Sequence, residues 1–233
     1  MKPKQDWLER EKKNAALEAV KHVNDGFSVG LGSGSTAAYA IEQIGKRMKL
    51  EKMRVLGVPT SYQALMLAIK HGIPITTLEE HSTLDLTIDG ADQIDEQLNL
   101  IKGMGGALSR EKIVAFASKK LIIVADESKK VKVLGENNHP VSIEVMPLAT
   151  AVLSRKMKEI GGKPVIREGI KKVGPVITDN GNVILDVDFG LISKPAELEC
   201  RLKMLPGVVE TGLFVQMANL VCLGKGSRVE KLA

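Results

Sequence analysis

The chain has 233 residues, 44% apolar and 26% charged, enough for one or two globular domains with buried cores. No run approaches the roughly 18 apolar residues a membrane span needs, and the opening segment, with Asp6, Glu9 and Glu11, carries neither a signal core nor the acid-poor composition of a transit peptide. A net charge of +5 with both signs interleaved, aromatics at 3%, and two isolated cysteines, Cys200 and Cys222, argue against a nucleic-acid surface and against a disulfide framework. The expected protein is cytoplasmic, and its mild positive surplus suits a small anionic ligand.

From the N-terminal side, the apolar run FSVGL (27 to 31) leads through Gly and Ser residues into a stretch where Ala37, Ile41, Ile44 and Met48 recur at helical spacing. RVLGV precedes a helix with Leu65, Ala68 and Ile69 expected on one face and Gly72 as its stop. LDLTI runs into an acidic loop, SREKIVAFASKK reads as the next helix, and LIIVA as a strand apolar on both faces. Strand–helix alternation of this kind means a Rossmann-like, mostly parallel sheet with helices on both faces. The texture then changes. VSIEV, a helix from Pro147 to Gly161–Gly162, PVIRE, a hairpin across Asn180–Gly181 expected as a type I′ turn, the helix PAELECRLKML and the strand GVVETGLF follow in order. That is β-α-β-β-α-β, a smaller ferredoxin-like α+β domain interrupting the α/β one. ANLVCLGK reads as a strand returning to the first sheet. The expected domains are residues 1–134 with 215–233, and 135–214.

Several segments carry possible chemistry. In GLGSGSTA, glycines and hydroxyls between a strand and a helix offer backbone N–H groups at the positive end of a helix dipole, a setting for phosphate. No Gly-Lys-Ser/Thr follows, and Ser35 stands where the dinucleotide fingerprint requires glycine; a purely structural turn would look the same. Asp89 and Asp92 in DGAD lie beyond the carboxyl end of a strand, where open α/β sheets bind ligands. A calcium loop pattern is absent and the four histidines are scattered, so no metal is expected, and the two acids either meet sugar hydroxyls or face water. Lys102, followed by Gly103, Met104, Gly105 and Gly106, can bring an ammonium and bare backbone close to an oxygen, although lysine tips are usually solvated. Glu111 falls near a helix start, where the dipole favours its anionic form; it is a base or simply a favourable first-turn residue. Lys129 lies at another strand end. The basic runs EREKK and REGIKK read as solvated faces. What raises the enzyme reading is that a phosphate-type loop, two aspartates, a lysine and a glutamate all fall at strand ends on one expected edge of one sheet.

Taken in order, GLGSGSTA, IDGADQID, IKGMGGALSREK, ADESKK, TDNGNVILD and PGVVETGLF resemble the ribose-5-phosphate isomerases of the A type, over about residues 12 to 228. The resemblance implies reversible conversion of D-ribose 5-phosphate to D-ribulose 5-phosphate in the pentose phosphate pathway, without metal or cofactor, by a homodimer or homotetramer. By position it implies that Glu111 is the proton acceptor and that Ser33, Gly34, Ser35 and Thr36, Asp89, Gly90, Ala91 and Asp92, Lys102, Gly103, Met104 and Gly105, and Lys129 contact the substrate. Lys12 is a weaker candidate. Ser33 stands where threonine is frequent, Met104 where glycine is, and Gln93 where glutamate is. Residue chemistry gives Asp89 and Lys102 catalytic roles beside Glu111: proton movement between oxygens, and stabilisation of a nascent oxyanion. A sugar-phosphate-sensing domain is the alternative, with an acyl-CoA transferase of related architecture behind it.

Overall fold

The computed structural model describes residues 3–233, with side chains from Trp7 onward. Its elements in chain order are α1 (Pro3–Val20), β1 (Ser28–Leu31), α2 (Ser35–Glu51), β2 (Leu56–Pro59), α3 (Tyr62–His71), β3 (Leu86–Gly90), β4 (Gln93–Ile94) and β5 (Leu100–Ile101). There follow α4 (Leu108–Phe116), β6 (Leu121–Asp126), β7 (Val141–Val145), α5 (Thr150–Glu159), β8 (Lys163–Ile166), β9 (Val183–Asp188), α6 (Pro195–Lys203), β10 (Val208–Thr211), β11 (Leu213–Phe214), β12 (Leu220–Lys225) and β13 (Arg228–Leu232). The chain divides into two compact units. The first comprises the described residues up to Ala91, Arg110–Lys129 and Met217–Ala233; the second comprises Asp92–Ser109 and Lys130–Gln216.

The sheet of the first unit runs β13-β12-β6-β3-β1-β2. All neighbours from β2 to β12 are parallel, and β13 closes the edge antiparallel to β12. Apart from β13 this is the doubly wound 2-1-3-4-5 order, whose switch point lies between β1 and β3, with the ligand crevice beyond their carboxyl ends. Side-chain alternation places helices on both faces. Val29 and Leu31 enter a core with Ala15, Ala16, Ala19, Ala40, Ile41 and Ile44 of α1 and α2, and Met48 packs at its border. Gly30 between them faces Val114 of α4 and Thr87 of β3 so closely that a Cβ would meet them at 2.5 and 2.0 Å. The face of α3 is rotated from the expected one: Ala64 and Ala68 are buried, Leu65 is half-buried and Ile69 is exposed. Alanines are needed there because α2 and α3 nearly touch; a Cβ on Gly45 would sit 2.6 Å from the His71 carbonyl oxygen.

In the second unit β7, α5, β8, β9, α6 and β10 build an antiparallel sheet of order β10-β7-β9-β8, the ferredoxin-like arrangement. Ile143, Val145, Leu185 and Val187 of the sheet meet Leu153, Met157 and Leu202 of the two helices in its core. The expected single strand GVVETGLF is broken at Gly212. Its N–H bonds to the Ser142 carbonyl (2.7 Å), its carbonyl accepts from Lys102 N–H (2.8 Å), and a Cβ would lie 2.2 Å from Lys102 O. Past this crossing Leu213–Phe214 leaves the four-stranded sheet and pairs with β5, which pairs with β4. Residues 92–109, expected with the large domain, therefore pack with the second unit. The hairpin also differs in detail: of Asn180 and Gly181, the glycine takes positive φ (+81°), and Gly181 N–H closes on Thr178 O at 2.9 Å. With that bond the turn proper is 178–181, and the glycine serves the bulge after it rather than a type I′ centre.

Candidate active site

Two strand ends at the switch point carry the first group of residues. The chain leaves β1 through Gly32, whose N–H bonds to Ile88 O at 3.0 Å, so that Ser33 arrives beside β3. Asp89, 1% exposed, accepts from Ser33 N–H at 3.0 Å and from Gly90 N–H at 2.7 Å through Oδ1. The Ser33 hydroxyl lies 2.8 Å from that of Thr60 and donates to Ser61 Oγ at 2.5 Å, and Gly34 N–H reaches Gln63 Oε1 at 2.8 Å. Gly34 takes φ +94° and caps α2 without a side chain, leaving Ser35 and Thr36 in the first helical turn, where N–H groups have no helical carbonyl. Thr60, Ser61 and Gln63 were not among the sequence candidates. The signal for them was a polar run at the end of β2, since Ser61 is the N-cap of α3 and accepts from Ala64 N–H at 3.1 Å.

Gly32 is the steric hinge of this group. A Cβ there would stand 2.2 Å from Asp89 Oδ1 and 2.5 Å from Asp89 Cα, and backbone cannot swing aside. Gly32→Ala is expected to cost about 1–3 kcal/mol of stability by forcing the strand ends apart, read as a lowered Tm together with weakened turnover. A variant with parental Tm and kcat/KM would show that the two strand ends tolerate separation.

Glu111 reaches the same edge by way of α4. The C-terminal end of that helix is fixed to the start of β3: Leu84 N–H bonds to Ala117 O (2.8 Å), Lys119 N–H to Leu84 O (2.9 Å), and the Thr87 and Ser118 hydroxyls lie 2.6 Å apart. Val114, one turn earlier, packs over Gly30 and Thr87. The helix thus runs antiparallel to the strands, and its first turn, with Glu111 at 4% exposure, faces their carboxyl ends. Lys129, half-buried, closes the short 3-10 turn Glu127–Lys129 after β6, steadied by bonds from Ser128 to Asp126 and by the Lys225–Glu127 ion pair at 2.9 Å.

The second unit holds the other candidates. Asp92 donates its backbone N–H to Ile101 O (2.8 Å), and its Oδ2 accepts from Met104 N–H at 3.0 Å, tying the acidic loop to the glycine loop. Lys102 is 3% exposed, with Nζ 5.4 Å from the centroid of the Phe214 ring, a cation–π contact. Gly103 takes φ +107° and Gly106 φ +79°, and Gly106 N–H closes the loop on Gly103 O at 2.9 Å. Met104 is about half exposed, so the thioether stands on the loop rather than filling a core. Gln93 bridges within the unit, donating to Glu136 O (2.8 Å) and accepting from Gly135 N–H (2.7 Å). The structure thus brings Ser33, Gly34, Asp89 and Gly90 together in one unit, and Asp92, Lys102, Gly103 and Met104 in the other. Among the described residues no group of three or more His, Cys, Asp or Glu could hold a metal ion, and no helix is long and apolar enough to cross a membrane.

Comparison with known proteins gives the arrangement a family. The profile of ribose 5-phosphate isomerase A (phosphoriboisomerase A) matches residues 56–228. The ribose-5-phosphate isomerase A of Methanosarcina acetivorans is 49% identical over 220 residues, covering 94% of this chain and 93% of that protein. That of Pyrococcus horikoshii is 44% identical over 226 residues, covering 97% and 98%. The solved ribose 5-phosphate isomerase A of Methanocaldococcus jannaschii superposes with a TM-score of 0.93 at 47% identity, over 96% of this chain and 98% of that one. A D-ribose-5-phosphate isomerase solved in complex with phospho-erythronic acid gives 0.94 at 44% identity, over 97% and 98%. A match of this extent in both sequence and fold settles the lineage: the chain belongs to the ribose 5-phosphate isomerase A family.

Proposed function

We propose that this protein interconverts D-ribose 5-phosphate and D-ribulose 5-phosphate through an enediolate, with its own side chains as the catalysts. The observation that carries the reading is the near full-length match to isomerases, one of them solved holding a phosphorylated sugar acid. In the forward direction Glu111 takes the C2 proton of the open-chain aldose and delivers it to C1, leaving the carbonyl at C2. Negative charge moves onto the C1 oxygen as the first bond breaks, and the Lys102 ammonium stabilises it; low water access at a residue 3% exposed strengthens that term. Asp89 assists ring opening and carries the hydroxyl proton between O2 and O1, while Asp92 orients hydroxyls. The Ser33–Thr36 turn, with the N–H groups of the start of α2, and Lys129 hold the phosphate or the hydroxyls beside it. The same reading makes the protein a cytoplasmic homo-oligomer of the pentose phosphate pathway.

Incubation of the purified protein with D-ribose 5-phosphate alone, in the presence of a chelator, is expected to yield the ketose, since isomerisation needs no second substrate. Binding without ketose formation would favour a sensor and overturn the proposal.

A further inference from the structure

Arg167 stands just past β8, at the head of the basic run that reads from sequence as a solvated face, yet its side chain is 13% exposed. Its five N–H bonds meet five acceptors. Nε donates to Asp186 Oδ2 at 2.7 Å, and Nη2 donates to Asp186 Oδ1 and, at 2.7 Å, to Ser142 Oγ. Nη1 donates to two consecutive carbonyls of the glycine loop, Gly103 O at 2.9 Å and Met104 O at 3.1 Å. Ser142 Oγ in turn donates to Asp186 Oδ1 at 3.0 Å, so the cation is neutralised on one side and spent on backbone on the other. The same serine supports the loop through its main chain, because Ser142 O holds Gly212 and Gly212 O holds Lys102 N–H. Gly103 completes the seat: a Cβ there would lie 3.0 Å from Ser142 Cβ and 3.1 Å from Leu108 Cβ.

In a planar trans peptide the carbonyl and the following N–H point in opposite directions. With Gly103 O and Met104 O drawn to Arg167, the N–H groups of Met104 and Gly105 are turned the other way, and Met104 N–H indeed meets Asp92 Oδ2 on that side. We propose that Arg167 is a positioning residue of the isomerase. By holding the carbonyls of Gly103 and Met104 it fixes the direction of the Met104 and Gly105 N–H groups and the placement of Lys102 beside them. Resting as it does on the assignment of Lys102 and its loop to the substrate, this adds a device from the ferredoxin-like sheet that sets their aim. A lysine at 167 could keep the charge pairing with Asp186 but, with all its donors on one atom, could not reach both loop carbonyls as well.

The test compares the parent with Arg167→Lys and Arg167→Gln as full-length chains, reading Tm, kcat, KM and amide hydrogen exchange at 102–106. Expected for Arg167→Lys is a folded protein with kcat lowered about 10²-fold, the scale of an ångström-sized misplacement, a smaller change in KM, and faster exchange at Met104 and Gly105. Arg167→Gln should lose at least as much; if it does not fold, Arg167→Lys decides alone. A folded Arg167→Lys with kcat within about threefold of the parent, under 1 kcal/mol of barrier, overturns the proposal. Should the parent itself leave ribose 5-phosphate unchanged, the functional reading fails, and exchange alone then judges the clamp: unaltered protection at Met104 and Gly105 overturns it and faster exchange sustains it.

Discussion

Glu111→Gln is expected to lower kcat for ribose 5-phosphate by about 10²–10⁴-fold with the fold intact. The substitution keeps the volume of a side chain that is 4% exposed and removes its capacity to take a proton from carbon. Magnitude separates the two readings of this residue. If Glu111 served merely as a favourable first-turn acid, neutralising it would cost about 0.3–1 kcal/mol of stability and leave kcat near that of the parent. A general base contributes far more, and because its role arises after substrate is bound, KM should move little. Steady-state kinetics, with circular dichroism and Tm as controls, decide the matter. Parental turnover by a properly folded Glu111→Gln protein would remove Glu111 from the chemistry.

Lys102→Met is expected to reduce kcat about 10²–10³-fold, the usual scale for removing one preorganised charge-stabilising group. Methionine keeps most of the apolar stem and its packing against Phe214, and it abolishes the desolvation cost of a buried ammonium. The cation–π contact it forfeits is worth about 0.5–2 kcal/mol. Reading Tm and kcat on the same folded variant separates charge stabilisation of the reaction from a structural role for the ammonium. A large fall in Tm accompanied by proportionate inactivation would instead make Lys102 a structural cation.

The parts that the sequence announced are those whose cause is local. The alternation of short apolar runs with helical periodicity identified the parallel sheet, because each strand of it is buried on both faces and each covering helix shows one apolar stripe. Asp89, Glu111 and the Ser33–Thr36 turn stood out because strand ends and helix starts are written in consecutive residues. Arg167 did not. Its partners come from β7, β9 and the 103–104 carbonyls, none of which is near it along the chain, so its surroundings in sequence, rich in lysine, suggested water. Residues 92–109 were misplaced for a related reason: β4 and β5 are two residues each, too short for any periodicity, and β11, which pairs with β5, lies beyond 210. The rotated face of α3 followed from helix-to-helix clearance at Gly45, a quantity that apolar spacing does not encode.

The interrupted first unit also dictates an order of events during synthesis. Strand β12, whose Leu220 pairs with Ile122 of β6, is translated after every strand of the second unit has been made. While the nascent chain lengthens through that unit, the β6 edge has no neighbour on its outer side, and a bare edge of this kind invites pairing with another chain. The inserted unit is thus the first able to finish folding on the ribosome, and the interval before Leu220 emerges is the period in which chaperone protection of β6 matters most.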